Sequence, residues 1–370
     1  MKLFFHRNRV IEIVSNYFPF KIKKKILYGK ILIFDFHMIG DMVILLPFLS
    51  HIRRNFPSSH IVLVSPKWVD DILLNTSYVD EIIYYHAPWV KRKSIIPAIK
   101  ETFYLVTTLR KKRFDIGIEM RGDIRQIFLM WLCGPRNIAG YSFTGGKRML
   151  TIDVPDDGKI KHLIKHHKQI LESLTNKKVI DEKFVPELVL SHEERSKVEL
   201  IKSNYKKKVI GIHPFAGSKL RQWSFDRVRT LIERLQKNYN IVMFFGPDDL
   251  KYQDSLLPID SSNIEIYCSD LREFIVKVAT LDYMICMDSG AGHIAAALRI
   301  PVVVIFGPAI DTYCNPVGKS PIKVVTLPDR DLPCRPCDQK KCTNEIYNKC
   351  LKELSVDMVI DGLGKIIEQV

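Results

Sequence analysis

The chain has 370 residues, 46% of them apolar and 26% charged. That balance excludes wholesale disorder, and the length accommodates two domains with separate cores. Its 56 Lys and Arg stand against 41 Asp and Glu, a net charge of +15, which points to anionic partners such as phosphorylated substrates, acidic lipid headgroups or nucleic acid and says nothing of fold.

Residues 1–29 carry Lys2, Arg7, Arg9, Lys21, Lys23, Lys24 and Lys25 against Glu12 alone. Val10, Ile11, Val14, Tyr17 and Phe18 fall at helical spacing, so the segment reads either as a basic amphipathic helix for an anionic membrane surface or as a basic tail. Its apolar runs are too short for a secretory signal, and the chain holds no apolar stretch long enough to span a bilayer. The expectation is a cytosolic protein with a membrane-facing end.

From residue 30 onward, short Ile/Val-rich runs alternate with longer amphipathic ones, the pattern of a parallel sheet covered by helices. Strands are predicted over 30–36, 60–64, 81–84 and 115–119, and again over 208–213, 241–245, 283–287, 302–306 and 323–326. The polar stretch between these groups, 161–207, reads as an interdomain crossover. The predicted organisation is an α/β domain over 30–160, a second over 208–330, and a Cys-rich tail with a C-terminal helix over 331–370. Ligands of such sheets sit beyond the carboxyl ends of the strands.

The first strand ends in His37-Met-Ile-Gly-Asp41, and a helix is predicted from about Met42 with apolar Val43, Leu46, Leu49 and Ile52. Gly40 leaves room for close approach, and Asp41 suits both a helix N-cap and a carboxylate facing a cleft. Strand 208–213 runs into Pro214-Phe-Ala-Gly-Ser218, followed by Lys219 and Arg221, a small-residue loop with two cations suited to a diphosphate. Trp223 reads as a packing anchor, and Ser224 as the cap of a helix from Phe225. Asp248 and Asp249 fit either ribose hydroxyls or a solvated turn. Arg121, Asp123, Arg125, Lys147 and Arg148 could take acceptor phosphates, with solvated surface as the plainer reading. Strand 283–287 empties into Asp288-Ser-Gly-Ala-Gly-His293 and an Ala-rich helix, so free amides and a helix N-terminus converge where a phosphate could sit.

Cys334, Cys337, Cys342 and Cys350 form a cluster that suggests a structural Zn, with an iron-sulfur site, disulfides or reduced thiols as alternatives. Cys133, Cys268, Cys286 and Cys314 are scattered. The DxD at Asp329–Asp331 lies in a Pro-flanked loop beyond the predicted phosphate pocket, so no catalytic metal is expected.

Three blocks, Gly40-Asp41 through Pro57, His213-Pro214 through Trp223, and Asp288 through Phe306-Gly-Pro308, resemble glycosyltransferase family nine, the ADP-heptose:lipopolysaccharide heptosyltransferases. The resemblance covers roughly residues 30–365. It implies a GT-B fold with two Rossmann-like domains across a cleft, the donor nucleotide on the C-terminal half and the acceptor on the N-terminal half. It places the catalytic carboxylate on Asp41 and the phosphate-side cation on Arg221, where a Lys is usual. Asp288, Ser289, Gly290 and His293 become nucleotide-sugar contacts. With the residues read above, the donor side comprises Gly40, His213, Gly217, Ser218, Lys219 and Asp248 as well, together with Gly292.

The chemistry expected is inverting transfer without catalytic cofactor, from a nucleotide sugar to lipopolysaccharide core or another glycolipid, on the inner face of the inner membrane. Asp41 would act as a late general base while Arg221, Lys219 and the amides of 289–292 hold the departing diphosphate. A nicotinamide dehydrogenase would need a GxGxxG that His37–Asp41 lacks. A nucleic-acid binder would cluster aromatics with Arg and Lys and space its second Cys pair differently. A nucleotide-sugar epimerase would release free sugar without acceptor, and a membrane scaffold would not need Asp41.

Overall fold

The computed structural model describes residues 27–90, 94–257, 263–335, 337 and 341–370. The helix read in residues 1–29 therefore lies outside the described residues except at 27–29. The chain divides into two compact units, Met1–Phe184 and Val185–Val370. That division falls inside the stretch read as a crossover, which contributes the helix Leu163–Thr175 to the first unit and His192–Ser203 to the second.

The first unit holds strands β1 (Lys30–Phe34), β2 (His60–Ser65), β3 (Glu81–Tyr84), β4 (Ile116–Glu119), β5 (Asn137–Gly140) and β6 (Ile152–Asp153) in the order β3-β2-β1-β4-β5-β6. The second holds β7 (Val209–His213), β8 (Asn240–Phe244), β9 (Ile264–Tyr267), β10 (Tyr283–Met287), β11 (Val302–Ile305) and β12 (Ile322–Val325) in the order β12-β11-β10-β7-β8-β9. Every pairing is parallel. Each unit thus has the doubly wound order of a Rossmann fold, with its reversal point between the first and fourth strands of the unit. The predicted α/β class and its parallel strands are present; β5, β6 and β9 are additions to the sequence reading.

The central strands are apolar on both faces because helices cover both. Ile31 to Phe34 and Met284 to Met287 are all essentially inaccessible. The helix after β1 spans Ile39–Asn55, three residues earlier than predicted. Its N-cap is Met38, and Asp41 is the third helical residue, whose Oδ2 accepts from the Met38 N–H at 3.1 Å. Asp41 therefore does cap, reaching back from inside the first turn rather than standing ahead of it. Eleven of its 17 residues are buried, including the unbroken run Met42 to Ser50, so its apolar residues surround the axis instead of forming one stripe.

In the second unit Trp223 is buried and donates Nε1–H to the Leu354 carbonyl at 3.1 Å. Arg227 donates to the carbonyls of Leu351 and Leu354 at 2.9 and 2.8 Å. Those bonds tie the tail to the helix Phe225–Leu235, and they explain why Arg stands where a capping box would have Glu. Ser224 occupies the N-cap position of that helix, but its side chain makes no capping hydrogen bond.

Candidate functional site

In the first unit the loops after β1 and β4 meet at the switch point. Arg121 donates Nη1–H to Asp41 Oδ1 at 2.8 Å. The loop carrying Arg121 is held by Glu119, whose two carboxyl oxygens accept the backbone N–H groups of Arg121 (2.9 Å) and Gly122 (2.6 Å). Gly122 has φ +71, and a Cβ there would lie 2.5 Å from Phe143, so the turn admits only glycine. Complete burial pushes the Glu119 carboxyl up to about 8, outweighing the two amides.

Other polar groups pack around this loop. Asp35, buried, accepts from the His37 N–H at 3.1 Å and contacts His37 Nδ1 at 3.2 Å. Asp123 caps the helix Ile124–Cys133 by accepting the Arg125 N–H at 2.9 Å, and it also binds the Arg125 guanidinium. Burial pushes the His166 and His167 imidazoles, on the helix Leu163–Thr175, down to about 4 and about 3. Arg121 and Asp123 are consequently part of an internal polar cluster rather than solvated surface; Lys147 stays exposed beside Asp153.

In the second unit the loops after β7 and β10 meet at the equivalent point. Arg221 donates Nη1–H to the Asp288 carboxylate at 3.2 Å and to its carbonyl at 3.4 Å. The Arg221 Nε–H finds no acceptor among the described residues. Ser218 caps the short turn Lys219–Arg221, accepting from the Leu220 N–H at 3.3 Å. At Gly217 a Cβ would stand 3.3 Å from Arg221 Nη2, so any larger residue crowds the guanidinium. Lys219 is exposed beside it.

Ser289 is the N-cap of the helix Gly290–Ala297 without a capping side-chain bond; its hydroxyl lies 3.5 Å from His213 Nδ1. Gly290, Ala291 and Gly292 form the first turn, where helical amides have no partner within the helix. His293 follows, buried on the same helix. Burial pushes the His213 imidazole down to about 4, so it is neutral at physiological pH. Asp248 is exposed in the turn after β8, one strand away from the switch point, and Asp249 folds back toward Gly246. Gly40 lies in the first turn of the helix Ile39–Asn55, in the other unit from the rest of the predicted donor set.

In the sequence Arg121 reads as an acceptor-phosphate ligand or solvated surface, and Glu119 as the end of a strand. The available signal was Glu119, Arg121 and Asp123 alternating where an apolar strand stops, which places three charges at a sheet's carboxyl edge.

In the tail Cys334, Cys337, Cys342 and Cys350 all line one small pocket of about 20 Å³, which Leu220 and Pro308 also border. The Asn348 N–H donates to Cys342 Sγ at 3.2 Å, and Asn344 Nδ2 to Cys334 Sγ at 3.5 Å. Among the described residues, no three His, Cys, Asp or Glu side chains already stand close enough together to hold a metal ion. Cys133 and Cys286 are buried in the two cores. Asp329–Asp331 forms a 3-10 turn in which Asp329 pairs with Arg335 at 2.9 Å.

Two Rossmann-type sheets, each with an Arg–Asp pair at its switch point and one with an open helix start beside a cation, define a protein of the two-domain, doubly wound α/β class. The family model described as glycosyltransferase family 9 (heptosyltransferase) matches residues 102–348, and the chain belongs to that family. It is 25% identical to lipopolysaccharide heptosyltransferase 3 of Escherichia coli (strain K12) over 293 residues, covering 75% of this chain and 82% of that protein. The fold is similar to the glycosyl transferase family 9 structure from Veillonella parvula DSM 2008, with a TM-score of 0.75, 19% identity and coverage of 94% and 99% of the two chains. An E. coli heptosyltransferase solved with ADP-2-deoxy-2-fluoro heptose aligns with a TM-score of 0.66 at 16% identity, covering 91% and 99%. The fold class is GT-B, and the chain is a glycosyltransferase of the heptosyltransferase type.

Proposed function

We infer that this chain transfers a heptose from ADP-heptose, with inversion, to a hydroxyl of lipopolysaccharide core. The observation that carries this reading is the Asp41 carboxylate at the end of β1, fixed from two sides by Arg121 and the Met38 N–H. An ordinary carboxylate is a weak base toward an alcohol, and proton transfer therefore comes late, as the hydroxyl bonds to the anomeric carbon and acidifies.

The leaving ADP gains negative charge as the glycosidic bond breaks. Arg221, Lys219 and the amides of Gly290, Ala291 and Gly292 offer fixed donors for that charge; each such donor typically contributes about 3 kcal/mol. Arg221 thereby supplies the charge stabilisation for which other transferases use a divalent ion, which makes the proposed reaction metal-independent. The relative solved with an ADP-heptose analogue supports the choice of donor, and the lipopolysaccharide relative supports the acceptor. Such an acceptor implies work at the inner face of the inner membrane, where residues 1–29 would meet anionic lipid.

The tail cysteines are proposed to hold a structural Zn. Four thiols border one cavity and two of them accept N–H bonds, the surroundings a thiolate requires. Zn–S bonds of about 2.3 Å would draw the sulfurs inward from where they stand.

The test is incubation with a panel of nucleotide sugars, measuring nucleoside diphosphate release with and without core oligosaccharide. ADP release from ADP-heptose that depends on the oligosaccharide supports the reading. Release of free sugar without acceptor would replace it with an epimerase or hydrolase.

A further inference from the structure

The helix Ile95–Lys112 leaves an unusual face in water. Ile95, Ile96, Ile99, Phe103 and Tyr104 are 76, 69, 63, 70 and 72% exposed, whereas Ala98, Leu105 and Leu109 on the other side anchor the helix to the first unit's core. Single exposed apolar side chains are ordinary; five on one helix are not. Beside them runs an apolar groove of about 730 Å³, bordered by Ile99, Phe103, Val106 and, from the neighbouring helix, Leu132.

At about 100° per residue, these five residues occupy one half of the helix circumference. The same half carries Lys100, Arg110 and Lys111. The helix's acidic residue, Glu101, falls in the other half. A surface that is apolar in its first three turns apart from Lys100, cationic toward its end and free of carboxylates on that half matches the boundary between acyl chains and anionic headgroups.

We propose that this face docks the enzyme on an anionic lipid bilayer, with Ile95, Ile96, Ile99, Phe103 and Tyr104 entering the interface and Lys100, Arg110 and Lys111 meeting headgroup phosphates. A second copy of the chain fits poorly, because two-fold pairing sets these cations either against one another or against the partner's apolar start. The chain's own residues 1–26 fit poorly for the same reason, being basic themselves. The proposal goes beyond the transfer reaction and does not depend on which sugar is moved.

The test uses the full chain and vesicles of phosphatidylethanolamine and phosphatidylglycerol at about 70:30, with phosphatidylcholine vesicles as the neutral control. Co-sedimentation is measured for the wild type, Ile99→Asp/Phe103→Asp and Lys100→Glu/Lys111→Glu, with melting curves to verify folding. Both variants are expected to lose at least tenfold in vesicle partitioning at unchanged melting temperature, and wild-type binding is expected to weaken with salt and to be small on phosphatidylcholine. Wild-type-like partitioning of the folded Asp variant overturns the proposal, as does equal binding to neutral vesicles. Conversion of a wild-type dimer to monomers by the Asp variant, with vesicle binding untouched, would identify the face as a self-association surface instead. Heptose transfer to soluble core oligosaccharide is read separately, so failure of either reading leaves the other intact.

Discussion

Arg121 and Asp41 meet at 2.8 Å across the switch point of the first unit, and the pair is inverted in the second, where Arg221 and Asp288 meet at 3.2 Å. Inversion changes which partner faces water. Asp41 is the more exposed member of its pair, 20% against 13% for Arg121, whereas Arg221 is the more exposed member of the other, 26% against 7% for Asp288. Two sheets of identical strand order thus present opposite chemistry at equivalent positions. One offers a carboxylate oriented by a sunken cation, suited to accepting a proton. The other offers a guanidinium oriented by a sunken carboxylate, suited to an anion.

Asp41→Asn is expected to lower the transfer rate by about 10²- to 10⁴-fold, the usual contribution of a general base, with ADP affinity nearly unchanged. Asn retains a side-chain oxygen for the Met38 N–H but turns its NH2 toward Arg121, so the helix start should survive while one lost acceptor costs about 1–3 kcal/mol and lowers the melting temperature modestly. Steady-state ADP release and calorimetric ADP binding check the two halves of this expectation. Retention of most of the rate would reduce Asp41 to a helix-capping residue.

Arg221→Ala is expected to cost about 10²- to 10³-fold in kcat/KM and also to destabilise the second unit, because the buried Asp288 loses the Arg221 guanidinium. The double variant Arg221→Ala/Asp288→Asn separates these effects. Removing the Asp288 charge as well should recover part of the melting temperature while activity stays low. Recovery of activity along with stability would show that Arg221 acts on the fold alone.

Much of this arrangement is legible in the sequence, and the gaps have physical causes. Strands such as Ile31–Phe34 and Val302–Ile305 are uninterrupted apolar runs because helices cover both faces. β5 carries Asn137 and Gly140, β6 is two residues long, and β9 alternates Ile with Glu265 at a sheet edge, so none makes such a run. The motifs at Asp41, Arg221 and Asp288 stand out because turn residues follow strands directly. Arg121 was hidden by strand order: only pairing β1 with β4 brings its loop to Asp41, and that contact joins residues 80 apart in sequence. Glu119 was hidden for a related reason, since a carboxyl sunk at a central strand's end is indistinguishable in sequence from one in a solvated turn.

The tail prediction concerns metal content. Protein purified without chelator is expected to carry about one zinc per chain, and Cys350→Ser to lose most of it with a lower melting temperature. Elemental analysis and melting curves before and after treatment with a strong chelator give the comparison. An unchanged melting temperature after complete metal removal would sink the structural role, and stoichiometric iron in place of zinc would correct the ion.

Stability should depend on pH through two opposed sets of buried groups. Glu119 is raised from 4.5 to about 8 by burial, so the folded chain binds more protons than the unfolded one between those values. Its contribution is complete below about 4.5 and is lost as pH rises through 8. His166, His167 and His213 are depressed from 6.5 to about 4, 3 and 4 by burial. Here the unfolded chain binds the extra protons, and stability is lost as pH falls below 6.5. Between 6.5 and 8 the Glu119 slope is the one that remains among these four groups, so the wild-type melting temperature should decline across that window. Glu119→Gln removes the titration but places an amide nitrogen against one of the two backbone N–H groups, at a cost of about 1–3 kcal/mol. The variant should therefore melt lower than wild type at pH 6.5 yet show a flatter profile from 6.5 to 8. An equally steep decline in the variant would mean that Glu119 is already ionised in the folded chain at pH 6.5.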